Sequence, residues 1–325
     1  MSRVPARLQH RHAVGLLLLL GVIVTCCRPV VASQPTARKF LVVGYLPEYR
    51  VGNLDETVCQ HLDELVFFSV EPRSNGTLDT SRLKPAAVKL LRNLKQKYRF
   101  RLRLCIGGWE RSTAFATCTA DDAARRRFIN QMITCCHSRG FDGVDLDWEH
   151  PKGAAQQAAY TRLIVETKAA FRLQKLSVTA AIAGWQQLSA VAAKSLDRIH
   201  LMSYDTEGQH STLLQARKDI QRLREAGIPA ARICLGLPFY GRSLDKTRTA
   251  HTYAEIVRRF APAPTVDQIN GIYFNGPSTI RRKTRLADSG GLAGVSIWEI
   301  GQDARGPRSL LRVISQSRRV TTDRR

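Results

Sequence analysis

Two hydrophobic patterns alternate along the chain. Short, largely apolar runs stand at 39–46 (KFLVVGYL), 64–70 (ELVFFSV), 100–106, 176–183 (LSVTAAIA), 198–204 (RIHLMSY), 232–237 (RICLGL) and 292–298 (LAGVSIW). The first two do not alternate polar with apolar, as expected for parallel strands covered on both faces. Between them, apolar residues recur at helical spacing over 81–98, 119–138, 154–173, 187–195, 211–226, 252–260, 278–287 and 308–317, with one or two further turns at 55–62. Gly227 and Pro229 stop the 211–226 helix.

One further strand, fourth in chain order, interrupts the apolar rule. Residues 141–151 read FDGVDLDWEHP, with four acids in eleven positions. On a strand, Asp145, Asp147 and Glu149 share one face about 7 Å apart, while Val144, Leu146 and Trp148 face the opposite way. Three carboxylates on one buried face repel each other, so at least one should hold its proton, which suits a general acid near neutral pH. Asp142, of the opposite parity, reads as structural. A solvated edge strand is the bland alternative, and the flanking Gly143 and Pro151 speak against it.

Eight strands, each followed by a helix, predict a single (β/α)8 TIM barrel in the α/β class. Sites in such barrels lie at the C-terminal strand ends. That rule gathers Tyr45, Phe68, Gly107-Gly108-Trp109, Asp147 and Glu149, Met202 to Asp205, Pro238 to Arg242, and Trp298-Glu299 at one end. Carboxyls ringed by aromatic residues suit a sugar, whose apolar faces stack on rings while its hydroxyls bond to acids and Arg.

Composition refines this picture at the ends of the chain. Arg3, Arg7 and Arg11 precede an apolar run over 13–25, and Val30-Val31-Ala32 has the ending a signal peptidase favours. The run is short for a membrane span. The expected organisation is a signal peptide at 1–32, a tail at 33–39, a catalytic domain at 40–317 and a frayed basic tail at 318–325. The product would be secreted or held in the cell envelope or periplasm. An uncleaved anchor, or acylation at Cys26, is the alternative, although Thr25 before that Cys fits a lipoprotein site poorly.

Four arginines (Arg3, Arg7, Arg11, Arg28) and no acid lie in the leader, so about +19 of the formal +23 charge remains after it. Such charge favours anionic surfaces, including anionic cell-wall polymers. No zinc-finger, nucleotide-loop or helix-turn-helix spacing accompanies it, so nucleic acid is not an expected partner. The six remaining cysteines, Cys59, Cys105, Cys118, Cys135, Cys136 and Cys234, form no zinc-type cluster and leave disulfide pairing open. Neither metal nor cofactor is expected, and the chain is expected to be a monomer.

The run DGVDLDWE at 142–149 resembles the DGxDxDxE signature of family 18 glycoside hydrolases, the chitinases and their relatives. Met202-Ser203-Tyr204-Asp205 is similar to the family's MxYD on strand six, LGLPFYGR at 235–242 to its seventh-strand segment, and Trp298 to its strand-eight tryptophan. The motifs stand in the family's order over roughly residues 40–305. The resemblance implies that Glu149 protonates the glycosidic oxygen and later activates water. It implies that the substrate's own N-acetyl carbonyl attacks the anomeric carbon, a route outside the two-carboxylate scheme. Asp147 would hold the acetamido N–H, Asp145 would support Asp147, and Tyr204 would bond the acetamido oxygen. Tyr45, Phe68, Gly108, Trp109, Met202, Asp205, Tyr240, Arg242 and Trp298 complete the expected substrate-binding set.

Two departures stand out. Cys105-Ile106-Gly107-Gly108 replaces the family's SxGG, exchanging a hydroxyl for a thiol beneath the carboxyls. Only about fifty residues separate strands seven and eight, too few for the extra α+β domain of many chitinases, so a shallow open groove is expected. The implied substrate is a β-1,4-linked polysaccharide or oligosaccharide containing N-acetylglucosamine. Peptidoglycan or an N-glycan core, or a non-catalytic lectin on the same scaffold, are the alternatives.

Overall fold

In the computed structural model, residues 39–322 are described, with side chains through 318. The leader expectation at 1–32 and most of the tail at 33–39 lie outside the described residues. Eight parallel strands form the barrel: β1 (Leu41–Pro47), β2 (Glu64–Pro72), β3 (Arg101–Gly107), β4 (Gly143–Asp147), β5 (Ser177–Ala183), β6 (Arg198–Met202), β7 (Ile233–Pro238) and β8 (Gly294–Trp298). β1 pairs with both β8 and β2, which closes the ring.

Helices cover the outside: α1 (Pro85–Tyr98), α2 (Phe115–Ala120), α3 (Asp122–Arg139), α4 (Gly153–Leu173), α5 (Ala190–Ser195), α6 (Leu213–Glu225), α7 (Tyr253–Phe260), α8 (Pro277–Ser289) and α9 (Leu310–Thr322). Three details differ from expectation. The turns after β1 are 3₁₀, at Glu48–Asn53 and Glu56–His61. α9 runs through Thr322, so residues 318–322, the first five of the expected frayed tail, are helical. Between β7 and β8, a four-stranded antiparallel sheet forms from Tyr240–Ser243, Ala250–Thr252, Gln268–Ile269 and Ile272–Tyr273. Asn270 and Gly271, at φ +47° and +71°, close its last hairpin as a two-residue turn.

Strand parity divides the core. Leu65 and Phe67, Leu102 and Leu104, Val144 and Leu146, and Leu235 and Leu237 point outward and are buried against the helices. Each fully buried aliphatic side chain contributes about 1.5–3 kcal/mol of transfer free energy. The inward parity carries polar and aromatic groups instead. At the lower end Glu64 receives Arg103 Nε at 2.6 Å and also pairs with Arg198. Burial works to raise the Glu64 pKa, and the two guanidiniums override it and bring it down to about 2. Above them Val43, Tyr45, Val66, Phe68, Cys105 and Cys234 form a small interior cluster against Trp298. The six described cysteines are buried and unpaired.

Candidate active site

The inward parity of β4 carries Asp145 and then Asp147 up the barrel axis, both buried, and Glu149 follows at the mouth. Asp145 is enclosed by donors. Tyr45 Oη donates to its Oδ2 at 2.6 Å, Thr179 Oγ1 donates to Oδ1 at 2.5 Å, and His200 Nδ1 stands 3.2 Å from Oδ1. Burial alone would raise its pKa; His200 and these hydrogen bonds outweigh it and hold Asp145 below the usual carboxylate range.

Asp147 has the opposite surroundings. Among the described residues, its Oδ1 is buried without a hydrogen-bond partner, and Oδ2 has the Cys105 thiol, at 3.9 Å, as its one donor. Burial, then the charges of Glu149 and Asp145, push it well above the ordinary carboxylate value. Burial and Asp205 raise Glu149 to about 7, opposed by a backbone hydrogen bond from Trp109. The three carboxyls have therefore separated into one anion and a pair that shares protons near neutrality, a coupled system whose apparent values belong to the pair. The repulsion inferred from the sequence is relieved in this way.

Loop residues from β3 hold the pair in place. Gly108 N donates to the Asp147 carbonyl at 2.7 Å, and Ser112 Oγ receives Glu149 N at 3.0 Å. Gly108, at φ +102°, has no room for a side chain, since a Cβ would stand 2.3 Å from Phe68 Cζ.

A cleft of about 540 Å³ opens over these groups. Tyr45, Phe68, Trp109, Asp147, Glu149, Met202, Tyr204, Asp205, Arg242 and Trp298 line it, as the strand-end rule expects. Trp298 packs edge-on against Phe68 at 4.6 Å between centroids and leans on Tyr45 at 5.8 Å. Burial, then Asp147, keep the Tyr204 phenol protonated far above neutrality, so it can donate. Arg242 Nε donates to Asp205 Oδ1 at 2.7 Å, which overrides burial and keeps Asp205 ionised.

Two expected substrate-binding residues fall behind the wall. Gly108 acts through its backbone beneath Phe68. Tyr240 is buried against Tyr204 and His210, because its β7 extension turns into the small antiparallel sheet. Conversely His150, Trp185, His200, Arg248 and Ser296 line the cleft without having been singled out. Trp185 is 66% exposed and meets His150 edge-on at 4.7 Å, while His150 Nε2 lies 3.5 Å from Glu149 Oε2. Burial lowers the His150 pKa, opposed by a bond to Gln186, so His150 is neutral at pH 7. Among the described residues, no group of three or more His, Cys, Asp or Glu is placed to hold a metal ion.

A closed (β/α)8 barrel with proton-sharing carboxyls at its mouth, ringed by aromatic residues, has the form of a glycoside-hydrolase domain. The model of glycosyl hydrolases family 18 matches residues 41–303, and the chain belongs to that family. It is 29% identical to Endochitinase 1 of Metarhizium robertsii over 283 residues, covering 69% of this chain and 67% of that one. A family 18 chitinase from the chitin utilization locus of Flavobacterium johnsoniae superposes with a TM-score of 0.78 at 24% identity, covering 86% of this chain and 94% of that one. A class V chitinase of Nicotiana tobaccum, solved as a mutant in complex with NAG4, gives 0.76 at 22% identity, covering 86% and 99%. The chain spans between 28% and 67% of the length of the curated relatives it matches.

Proposed function

We propose that the chain is a secreted, retaining hydrolase of glycans containing β-1,4-linked N-acetylglucosamine, with chitin and its oligomers as the first substrate class. Relatives named as chitinases and a neighbour solved with NAG4 support this substrate class. The observation that carries the mechanism is the buried Asp147 Oδ1, an acceptor with no partner among the described residues, beside a carboxyl that titrates near neutrality. An acetamido N–H on the substrate would supply the missing donor, at a site where an unmet buried acceptor costs about 1–3 kcal/mol.

Glu149 then gives its proton to the glycosidic oxygen as the bond from the anomeric carbon breaks. The acetamido carbonyl oxygen bonds to that carbon and closes an oxazolinium ring. Asp147 holds the N–H, Tyr204 donates to the acetamido oxygen, and the ionised Asp145 offsets the positive charge from below. Glu149, now a carboxylate, takes a proton from the water that reopens the ring, and configuration is retained. Asp145 is sealed by Tyr45 and Thr179, and Asp147 is buried with its pKa raised, which disfavours its anion, so neither suits the role of covalent nucleophile.

Product analysis on chitin oligomers, peptidoglycan and an N-glycan side by side tests the reading. Cleavage of chitin oligomers to β-configured products is expected; binding without cleavage of any substrate would restore the lectin reading. Export is carried by the leader pattern alone, and a mature N-terminus at Ser33 is its expected mark.

A further inference from the structure

A second cavity of about 490 Å³ adjoins the cleft and shares Ala183, Trp185, Met202, Tyr204 and Asp205 with it. Its far wall is one face of α6, where Gln215, Lys218, Asp219 and Arg222 recur at helical spacing. The acids on this wall are already engaged. Gln215 donates to Asp219 Oδ1 at 2.8 Å, Ser203 donates to Oδ2 at 2.6 Å, and Asp205 is held by Arg242. Gly184 is what admits Asp219, because a Cβ there would stand 2.7 Å from its carboxyl.

The cations lack a bonded acid, although the charge of Asp219 acts on Arg222. Among the described residues, Lys218 and Arg222 make no ion pair, and Arg222 Nε and one of its Nη atoms are buried without an acceptor. Buried donors are nearly always met, and each one left unmet costs about 1–3 kcal/mol. A guanidinium presents its N–H groups in a fork that matches a carboxylate, sulfate or phosphate. Arg248, which lines the cleft and donates to the Thr206 carbonyl at 2.8 Å, adds positive charge on the same side.

From these contacts we infer that Lys218 and Arg222 form an oxyanion subsite beside the sugar cleft, taking an acidic substituent carried by the glycan chain. This inference rests on the proposed hydrolase reading and narrows its substrate class. Amino-sugar polymers bearing an ether-linked lactate, a uronic acid, or a sulfate or phosphate ester all present the required group. The strongly basic chain as a whole would draw the same polymers to the surface.

The test compares matched oligomers on the full chain: neutral N-acetylglucosamine oligomers, oligomers alternating with lactyl-ether residues, and 6-O-sulfated oligomers. A KM for at least one acidic series roughly tenfold below that of the neutral series is expected, and it should be lost in Lys218→Gln/Arg222→Gln and in 0.5 M salt. The neutral series, which carries no acidic group for these cations, should keep its kcat/KM within about threefold in the variant. Lys218→Glu, at an exposed position, serves as a second variant should the double one fold poorly.

Equal KM for all series in the wild type, or a preference that survives both variants, would overturn the inference while leaving the hydrolase reading intact. If the wild type cleaves none of the oligomers, the hydrolase reading fails. Calorimetric binding of the acidic series, present in the wild type and absent in the variants, then decides the subsite alone.

Discussion

The Cys105 thiol lies 3.9 Å from Asp147 Oδ2 and is the sole donor facing that carboxyl among the described residues. Burial, then the neighbouring acids, hold the thiol well above its usual pKa, so it remains a weak donor and only slightly opposes the raised pKa of Asp147. A hydroxyl at this position would favour the Asp147 anion, and that charge would bind the Glu149 proton more tightly. Cys105→Ser is therefore expected to move the alkaline limb of the pH–rate profile upward, and Cys105→Ala to move it downward. A shift of the two variants in the same direction would count against this coupling.

Glu149 must carry its proton to act as an acid, so activity should fall as pH rises through about 7. Glu149→Gln should lower kcat by roughly 10²- to 10⁴-fold while oligomer binding persists. The same shift bears on stability. A carboxyl whose pKa is higher when folded takes up a proton on folding between its unfolded value of 4.5 and about 7, so stability is lost as pH rises through that window. Glu149→Gln should accordingly melt higher than the wild type at pH 8, with the difference shrinking toward pH 4. Thermal scans at the two pH values check the sign.

Asp145 behaves in the reverse sense. Its pKa is depressed by His200, Thr179 and Tyr45, so it stabilises the fold above the unfolded carboxylate value and loses that contribution as pH falls. Tyr45→Phe removes the 2.6 Å bond to Asp145 Oδ2 and the 2.6 Å contact with His200 Nδ1. A loss of about 1.5–3 kcal/mol at pH 7 is expected, together with acid unfolding at a higher pH than the wild type. An unchanged acid midpoint would mean that Asp145 is held without Tyr45.

Much of this site was legible because strand parity and fold rule act together. The VDLD alternation at 144–147 places Asp145 and Asp147 inward and Leu146 outward, and the apolar runs supply the barrel that makes one end matter. The same parity could have found His200, two residues before Met202, and Trp185, two residues beyond Ala183; both were passed over because a lone His or Trp carries no periodic signal. The small sheet between β7 and β8 escaped for another reason. Its strands, two to four residues long, are too short for a pattern, and the Asn270-Gly271 dipeptide is the available hairpin mark. What no sequence rule disclosed is that Asp147 keeps an empty oxygen while Asp145 keeps none, since that depends on which side chains fill the barrel.

Lys283 offers a last check on how the loop after β6 is anchored. Wholly buried on α8, it donates to the Ser211 carbonyl at 2.8 Å and to Ser211 Oγ at 2.7 Å, with no carboxylate within ion-pair distance among the described residues. Burial lowers its pKa from 10.5 to about 7, against the smaller pull of Asp267 and Asp219. Folding thus releases a proton between pH 7 and 10.5, so this group's contribution to stability rises with pH across that window. Lys283→Met keeps the volume and removes the titration. Asn275 Nδ2 still donates to the Ser211 carbonyl at 2.8 Å, so that oxygen is not orphaned. Below pH 7 the variant sheds an unpaired buried cation, and replacement of such charges by apolar groups is often neutral or stabilising by about 1–4 kcal/mol. The melting temperature of the variant relative to wild type should therefore be highest near pH 6 and decline toward pH 9. A difference that stays level from about pH 6 to pH 9 would show that Lys283 is ionised in the folded chain across that range.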